Sequence, residues 1–448
     1  MRQASGQTPR LRDAMNTMPG ATARSTRELL EALFRSAVAA AHPAGCLPPN
    51  LPDPPARGRL VILAAGKAAG AMTQVAEDHY ADLPPTRLAG LAVTRHGYGR
   101  PTRRIPMIEA GHPVPDKTGI SATRRALKLA DAVDADDLVL VLLSGGASAN
   151  WIAPASGLTL EEKQATTRAL LQSGAAIGEI NTVRKHLSRI KGGRLAQRAH
   201  PAKVVTLAIS DVPGDDPAVI GSGPTVPDPT TLADAREIVR RYRLDLPDAV
   251  TRALEEAGNE TPKPGDKVFA GSDYRIVARP ADALRAAAER ASAAGCECVI
   301  LGDRLQGEAR EVAAEQARLA LELRAEQRRV AILSGGELTV TLRGKGRGGP
   351  NQEFALALAI HLNGAPGVAA LAADTDGTDG GSGRPDDPAG AFIDATTLSR
   401  ARAAGLDPAA FLADNNSTGF FNAIGDLFRP GPTFTNVTDF RAIIVDRP

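Results

Sequence analysis

The stretch Leu60-Val-Ile-Leu-Ala-Ala-Gly66-Lys67-Ala-Ala-Gly70 decides the fold. Leu60–Ala64 is an unbroken apolar run of strand length, and such a run reads as a strand covered on both faces. Gly66-Lys67-Ala68-Ala69-Gly70-Ala71 then offers small residues that can open a helix packed closely on that strand. Strand, glycine turn and helix make the repeating unit of a parallel sheet. Outward from this unit the pattern recurs. Apolar runs lie at Leu88–Val93, Leu138–Leu143 and Val204–Ile209, with helical periodicity at Lys117–Ala130 and Leu160–Ile177. A second set follows, with strands expected near Cys298–Leu301, Val330–Leu333, Leu338–Leu342 and Val368–Ala373. Its helices are expected at Ala281–Ala294, Glu308–Gln327 and Asn351–Leu362.

The fold class expected is therefore α/β in two domains, which suits a chain of 448 residues. Residues 1–24 are polar and unpatterned and read as a disordered leader. Order is expected from Ser25, whose spacing to Glu28 is that of a capping box. The polar stretch Asn259–Asp266 reads as the junction, giving domains at 25–262 and 263–448.

Hydrophobic residues make up 43% of the chain and aromatics only 3%, so the cores must be built from Leu, Val, Ile and Ala. Lys and Arg number 53 against 51 Asp and Glu, a balance of +2 that gives no field to attract nucleic acid. No apolar run has the length of a membrane span, so no membrane partner is expected. Cys46, Cys296 and Cys298 are an odd, sparse set that fits a reducing cytosol. The Cys296-Glu-Cys298 pair lacks a second Cys/His pair and reads as the start of a buried strand.

In open parallel sheets, ligands bind beyond the carboxyl ends of the strands. The unusual residues of this chain gather there. Gly66-Lys67 at a helix start reads as an anion site, because a cation there opposes the helix dipole unless an anion joins it. It is neither a Walker sequence nor a dinucleotide fingerprint, since Gly66-x-x-x-Gly70 has the wrong spacing. Two Ser-Gly-Gly turns, Ser144-Gly145-Gly146 and Ser334-Gly335-Gly336, each close a buried strand and read as backbone contacts to a ligand. Arg184, Lys185, His186, Arg189 and Lys191 crowd one segment without matching acids, so a ligand carboxylate or phosphate would complete their charge. Asp211, Asp374 and Asp376 follow strands, where a carboxylate holds Mg²⁺ or accepts a proton from an attacking hydroxyl. The loop Arg343-Gly-Lys345-Gly-Arg347-Gly-Gly349, entering a helix at Pro350-Asn351, reads as a mobile phosphate-contacting segment.

Taken together, these motifs resemble the class II glycerate kinases, the glycerate 2-kinase family whose C-terminal half is the MOFRL domain. The resemblance spans Arg27 to Val445. In the first half it rests on Ala65-Gly-Lys-Ala-Ala69, Gly111-His-Pro-Val-Pro-Asp116, Leu143-Ser-Gly-Gly146 and Asn181 through Gly193. It continues through Ser210-Asp-Val-Pro-Gly-Asp215, Ser222-Gly-Pro-Thr225 and Gly348-Gly-Pro-Asn-Gln-Glu353. It ends on Asp374-Thr-Asp-Gly-Thr-Asp-Gly380 and Thr435-Asn-Val-Thr-Asp439.

The resemblance implies ATP and Mg²⁺, D-glycerate as acceptor, and phosphorylation at the 2-hydroxyl. It also implies a cleft between a Rossmann-like N-terminal domain and a smaller C-terminal one. The family lysine falls on Lys67, and a family arginine on Arg347 or Arg343, because Pro350 stands where relatives often carry Arg. Lys67, Arg347 and Asp211 are the catalytic residues expected, and Asp211 and Asp374 the metal ligands. The alternative activity is a nicotinamide-dependent hydroxypyruvate reductase, and a non-catalytic anion sensor is a third reading. Nothing in the residues decides between a monomer and a homodimer.

Overall fold

The computed structural model describes residues 19–381 and 384–447. Residues 1–18 of the expected leader lie outside the described residues. The first helix, α1 (Pro19–Ala41), runs through Ser25, so Ser25 is not its N-cap. Leu30, Leu33, Phe34, Ala37 and Ala41 recur at helical spacing and are fully buried.

The first sheet contains β1 (Leu60–Ala65), β2 (Leu88–Arg95), β3 (Met107–Ala110), β4 (Leu138–Leu143), β5 (Lys203–Ile209) and β6 (Asp273–Ala278). All neighbours are parallel, in the order β3-β2-β1-β4-β5-β6. Every residue of β1 and β4 is buried, as their unbroken apolar runs require. The order reverses between β1 and β4, and that switch point opens a crevice at the strands' carboxyl ends. The crevice is bordered by α2 (Ala69–His79), α3 (Lys117–Asp131) and α4 (Ala147–Asn150). Beyond it, the single helical stretch expected over Leu160–Ile177 is two helices, α5 (Leu160–Gln172) and α6 (Ile177–His186). Gly174, at φ +75°, stands in the turn between them.

The boundary expected at 262/263 falls too early. β6 lies beyond it and still pairs with β5, so Asn259–Asp266 is a connection inside the first sheet's unit.

The second half opens with α7 (Pro280–Ala293). Its strands are β7 (Glu297–Gly302), β8 (Val330–Ser334), β9 (Val368–Asp374), β10 (Gly390–Ile393), β11 (Leu427–Phe428) and β12 (Asp439–Val445). Its larger helices are α8 (Ala309–Ala325) and α9 (Pro350–Leu362). The strand order is β11-β10-β9-β12-β8-β7, with β7 and β8 parallel and the other neighbours antiparallel. No regular strand forms over Leu338–Leu342: one isolated bridge joins Thr339 to Glu308, and Leu342 is 81% exposed.

The halves are not separate bodies joined by a linker. One apolar core runs from Leu140 and Leu207 of the first sheet, through Leu284 and Ala287 of α7, to Leu333 and Phe440 of the second. α1 also crosses over: Phe34 meets Phe428 and Phe440 edge-on, with centroids 4.9 and 5.9 Å away. This shared core leaves the carboxyl ends of the first sheet's strands facing loops of the second half. Among the described residues, no helix is long and apolar enough to cross a membrane.

Candidate active site

The crevice is built from two interlocked turns. Gly66 has φ +117°, and a Cβ there would strike the carbonyl and hydroxyl oxygens of Ser144. The Lys67 amide donates to the Gly145 carbonyl (2.8 Å) and the Ala68 amide to Ser144 Oγ (2.9 Å). These amides are therefore occupied. The expected backbone anion site at this helix start is corrected accordingly, and anion binding there rests on the Lys67 side chain. Gly145 allows a different approach: a Cβ would collide with Asp211 Oδ2 and Asn436 Nδ2, which hydrogen-bond each other at 2.9 Å. Gly146 has φ +84°, and its missing Cβ leaves room for the His112 ring.

Across the crevice, the turn after β9 supplies carboxylates. Lys67 Nζ lies 2.6 Å from Asp376 Oδ2, joining the two halves by a buried ion pair. Arg95 Nη1 stands 3.6 Å from the same oxygen and donates to Thr378 Oγ1 at 3.2 Å. The Tyr98 hydroxyl donates to the Asp376 carbonyl at 3.0 Å, and the Asp376 amide to Asp374 Oδ1 at 2.8 Å.

The charges settle in a definite pattern. Burial works against the Lys67 ammonium, but Asp376, Asp374 and Asp211 outweigh it and hold the lysine protonated well past its ordinary range. Burial also opposes ionisation of Asp376, and Lys67 overcomes that opposition, so this carboxylate stays charged. Asp374 is pushed far up by burial and by Asp376, and Asp211 is raised by burial despite Lys67. His112 is driven down to about 3 by burial and by the cations Lys67 and Arg95, so its imidazole is neutral.

Lys67, Asp376 and Asp374 thus meet directly, and Asp211 lies close enough for its charge to act on Lys67. Ser144 is spent on capping α2 and is not open to a ligand. The second Ser-Gly-Gly turn also serves the fold. Ser334 Oγ receives Arg441 Nε at 3.3 Å, the Gly335 and Gly336 carbonyls accept from Arg441 Nη2, and a Cβ on Gly336 would strike Leu305. Asn351 braces Asp379 and Asp439, donating to them at 3.2 and 2.7 Å.

The basic segment divides. Arg184 and Lys191 converge on Ser148, whereas Lys185 pairs with the buried Asp228 at 3.5 Å. Arg189 is exposed, with Nε on the Pro154 carbonyl at 3.1 Å. Arg343 and Arg347 are both exposed on the glycine-rich loop. Arg347 borders a cavity of about 290 Å³ with Arg384, Asp386 and Arg429, away from Lys67.

Several residues of the site escaped the sequence. Arg95 and Tyr98 follow the apolar run Leu88–Val93 with no pattern that marks chemistry. His112 and Asn436 lie inside quoted motifs with nothing to single them out. Lys163, on an ordinary amphipathic helix beside Glu161 and Glu162, carried no signal.

Among the described residues, no group of three or more His, Cys, Asp or Glu could hold a metal ion alone. Mg²⁺ is commonly held by one or two carboxylates and completed by substrate phosphates. Asp211 and Asp374 are oxygen donors of the right hardness, and burial, with Asp376 beside them, disfavours their charge in a way that a bound cation would offset. The residues fit such an ion.

Comparison with known proteins follows the same division into halves. Residues 29–255 match the model described as Domain of unknown function (DUF4147), and residues 330–439 match the MOFRL family. A protein of Agrobacterium vitis whose name puts forward hydroxypyruvate reductase activity is 50% identical over 94% of this chain and 95% of its own. The D-glycerate 2-kinase of Thermotoga maritima is 42% identical over 85% of this chain and 89% of its own. A crystal structure of glycerate kinase from Thermotoga maritima superposes with a TM-score of 0.83 at 38% identity, covering 94% of this chain and all of that one. The two matched halves, and relatives this similar across most of their length, show that the chain belongs to the glycerate 2-kinase family, built of a DUF4147 half and a MOFRL half.

Proposed function

We propose that this chain transfers the γ-phosphoryl group of ATP to the 2-hydroxyl of D-glycerate, giving 2-phosphoglycerate and ADP. The observation that supports it is the Lys67 ammonium, carried by the first half and seated among Asp376, Asp374 and Asp211 at the sheet's switch point. A phosphoryl group in flight spreads negative charge over its outer oxygens, and a fixed buried cation stabilises that charge without reorganising. Asp376 holds Lys67 in place and charged until the phosphoryl oxygens compete for it. The new bond runs from the glycerate oxygen to phosphorus while the bridging oxygen leaves with its electrons on ADP.

The hydroxyl proton passes to Asp211, oriented by Asn436 and made more basic by burial. Asp374, with Asp211 nearby, would hold Mg²⁺, which would supply positive charge to the phosphates. Arg347 is assigned to the phosphoryl charge by way of its loop, which must swing inward to reach it. The setting proposed is the cytosol, where the three unpaired cysteines stay reduced.

The name of the Agrobacterium relative and the strand order favour one second reading, a nicotinamide-dependent reductase. Against it stands the first turn. Its amides at Lys67 and Ala68 are taken by Gly145 and Ser144, where a dinucleotide pyrophosphate would need them free. Phosphorus NMR of products from D-glycerate and MgATP, beside absorbance with hydroxypyruvate and reduced nicotinamide, decides between them. The kinase reading expects 2-phosphoglycerate and a flat absorbance trace. Exclusive 3-phosphoglycerate, or nicotinamide oxidation at a comparable rate, would contradict it.

A further inference from the structure

Next to the crevice, the first half buries cations with no acid beside them. Lys163 of α5 and Lys191 are 4% and 1% exposed, and Arg184 of α6 is half-buried. Lys191 Nζ donates to the carbonyl and hydroxyl oxygens of Ser148 at 2.7 and 2.6 Å, and Arg184 Nη2 donates to the same hydroxyl at 2.9 Å. Lys163 Nζ donates to the Leu187 carbonyl at 2.8 Å. All these acceptors are neutral. Among the described residues, no carboxylate pairs with any of the three. Burial and mutual repulsion press on the group, taking Lys163 down to about 7 and Lys191 well below its ordinary value. Buried charges are normally paired, and a bound anion would supply the partner that these three lack.

A groove of about 400 Å³ opens on the same cluster, with Lys163 and Arg184 on its floor. Its walls are apolar, from Val114, Ile152, Leu160, Leu171 and Ile177, and the large side chains at 114, 171 and 177 are more than 60% exposed. Ala149 of α4 also lines it, and Gly146, at the start of that helix, lies against the Lys67 side chain. The path therefore runs from an apolar groove, over buried cations, to the lysine at the switch point. A three-carbon hydroxy acid has no apolar body to fill such a groove. A nucleotide has both a flat base and a chain of anionic phosphates.

We propose that this groove is the base subsite of the nucleotide, and that Lys163, Arg184, Lys191 and Ser148 hold its inner phosphates while the terminal one reaches Lys67. The proposal rests on the kinase reading above. Ser148 Oγ also lies 2.8 Å from Ser222 Oγ, so the glycine-rich loop around Gly221 closes the same phosphate path.

The test is photolabelling of the full chain with 8-azido-ADP, followed by peptide mapping, together with calorimetric binding of ADP and of inorganic tripolyphosphate. Label is expected on peptides within residues 149–184 and is displaced by ADP. Ala149→Leu should narrow the groove and weaken ADP by about tenfold while sparing tripolyphosphate. Arg184→Gln should weaken both ligands by about tenfold or more. Thermal melts confirm that each variant folds, and Ile177→Asp at the exposed rim replaces Ala149→Leu if that variant does not. Label confined to residues 341–353 or 418–429, or unchanged ADP affinity in the folded variants, would overturn the subsite. The two readings fail separately. Wild-type enzyme that forms 2-phosphoglycerate while labelled elsewhere keeps its activity and loses this groove. Enzyme labelled in the groove without phosphorylating glycerate keeps the groove and loses the acceptor.

Discussion

His112 shows how strongly single residues feel this crevice. Its imidazole sits against Gly146, and burial with Lys67 and Arg95 lowers its proton affinity to about 3. The unfolded chain binds that proton near pH 6.5, so between about pH 3 and 6.5 the unfolded state holds more protons than the native one. The resulting stability is present above pH 6.5 and is lost as the pH falls toward 3. His112→Gln removes the term, so its melting temperature should fall less than that of the wild type between pH 7 and pH 4.5. Parallel losses in the two proteins would show that His112 titrates normally. At this scale the sequence was informative wherever a carboxylate or cation followed an apolar run, as at Lys67, Asp211, Asp374 and Asp376. It was silent on Lys163 and Asn436, which reach the site only through tertiary packing. It also left open that Lys185 and Lys191, six residues apart, would find opposite fates, one against Asp228 and one against Ser148.

Among the elements, α1 carries a consequence out of proportion to its place at the chain's start. Phe34 is wedged against Phe428 and Phe440 of the second sheet. Phe34→Ala should cost about 3–5 kcal/mol of stability, the usual range for emptying a fully buried aromatic site. Denaturant titration of the variant checks this, and a loss below about 1 kcal/mol would mean that the helix is only loosely docked. The elements read most accurately from sequence were those buried on both faces, β1 and β4, whose unbroken apolar runs admit one interpretation. β6 was missed because its pattern, Asp-Tyr-Arg-Ile-Val-Ala, belongs to a half-covered edge strand with Arg275 exposed. Leu338–Leu342 has strand composition, but its backbone finds a single bridging partner, so composition misled there.

For the whole molecule, the sequence pointed to two α/β units but placed their division at a polar stretch that lies inside the first. The shared core through α7 and the crossing of α1 tie the halves together, and both ends of Asn259–Asp266 belong to one unit. Polar composition marks exposure, and it does not tell a domain junction from a surface loop. Arg95, Tyr98 and Asp211 all reach the second half at the crevice, and the shortest of these links is the ion pair of Lys67 with Asp376. Steady-state kinetics of Lys67→Ala with D-glycerate and MgATP, on protein whose melt shows it folded, measure its role directly. Loss of one preorganised cation should lower kcat by roughly two to three decades, about 3–4 kcal/mol, and raise KM far less. Lys67→Arg should recover little, since a planar guanidinium cannot take the place of a compact ammonium in this tight turn. A folded Lys67→Ala enzyme with near-full turnover would contradict the account.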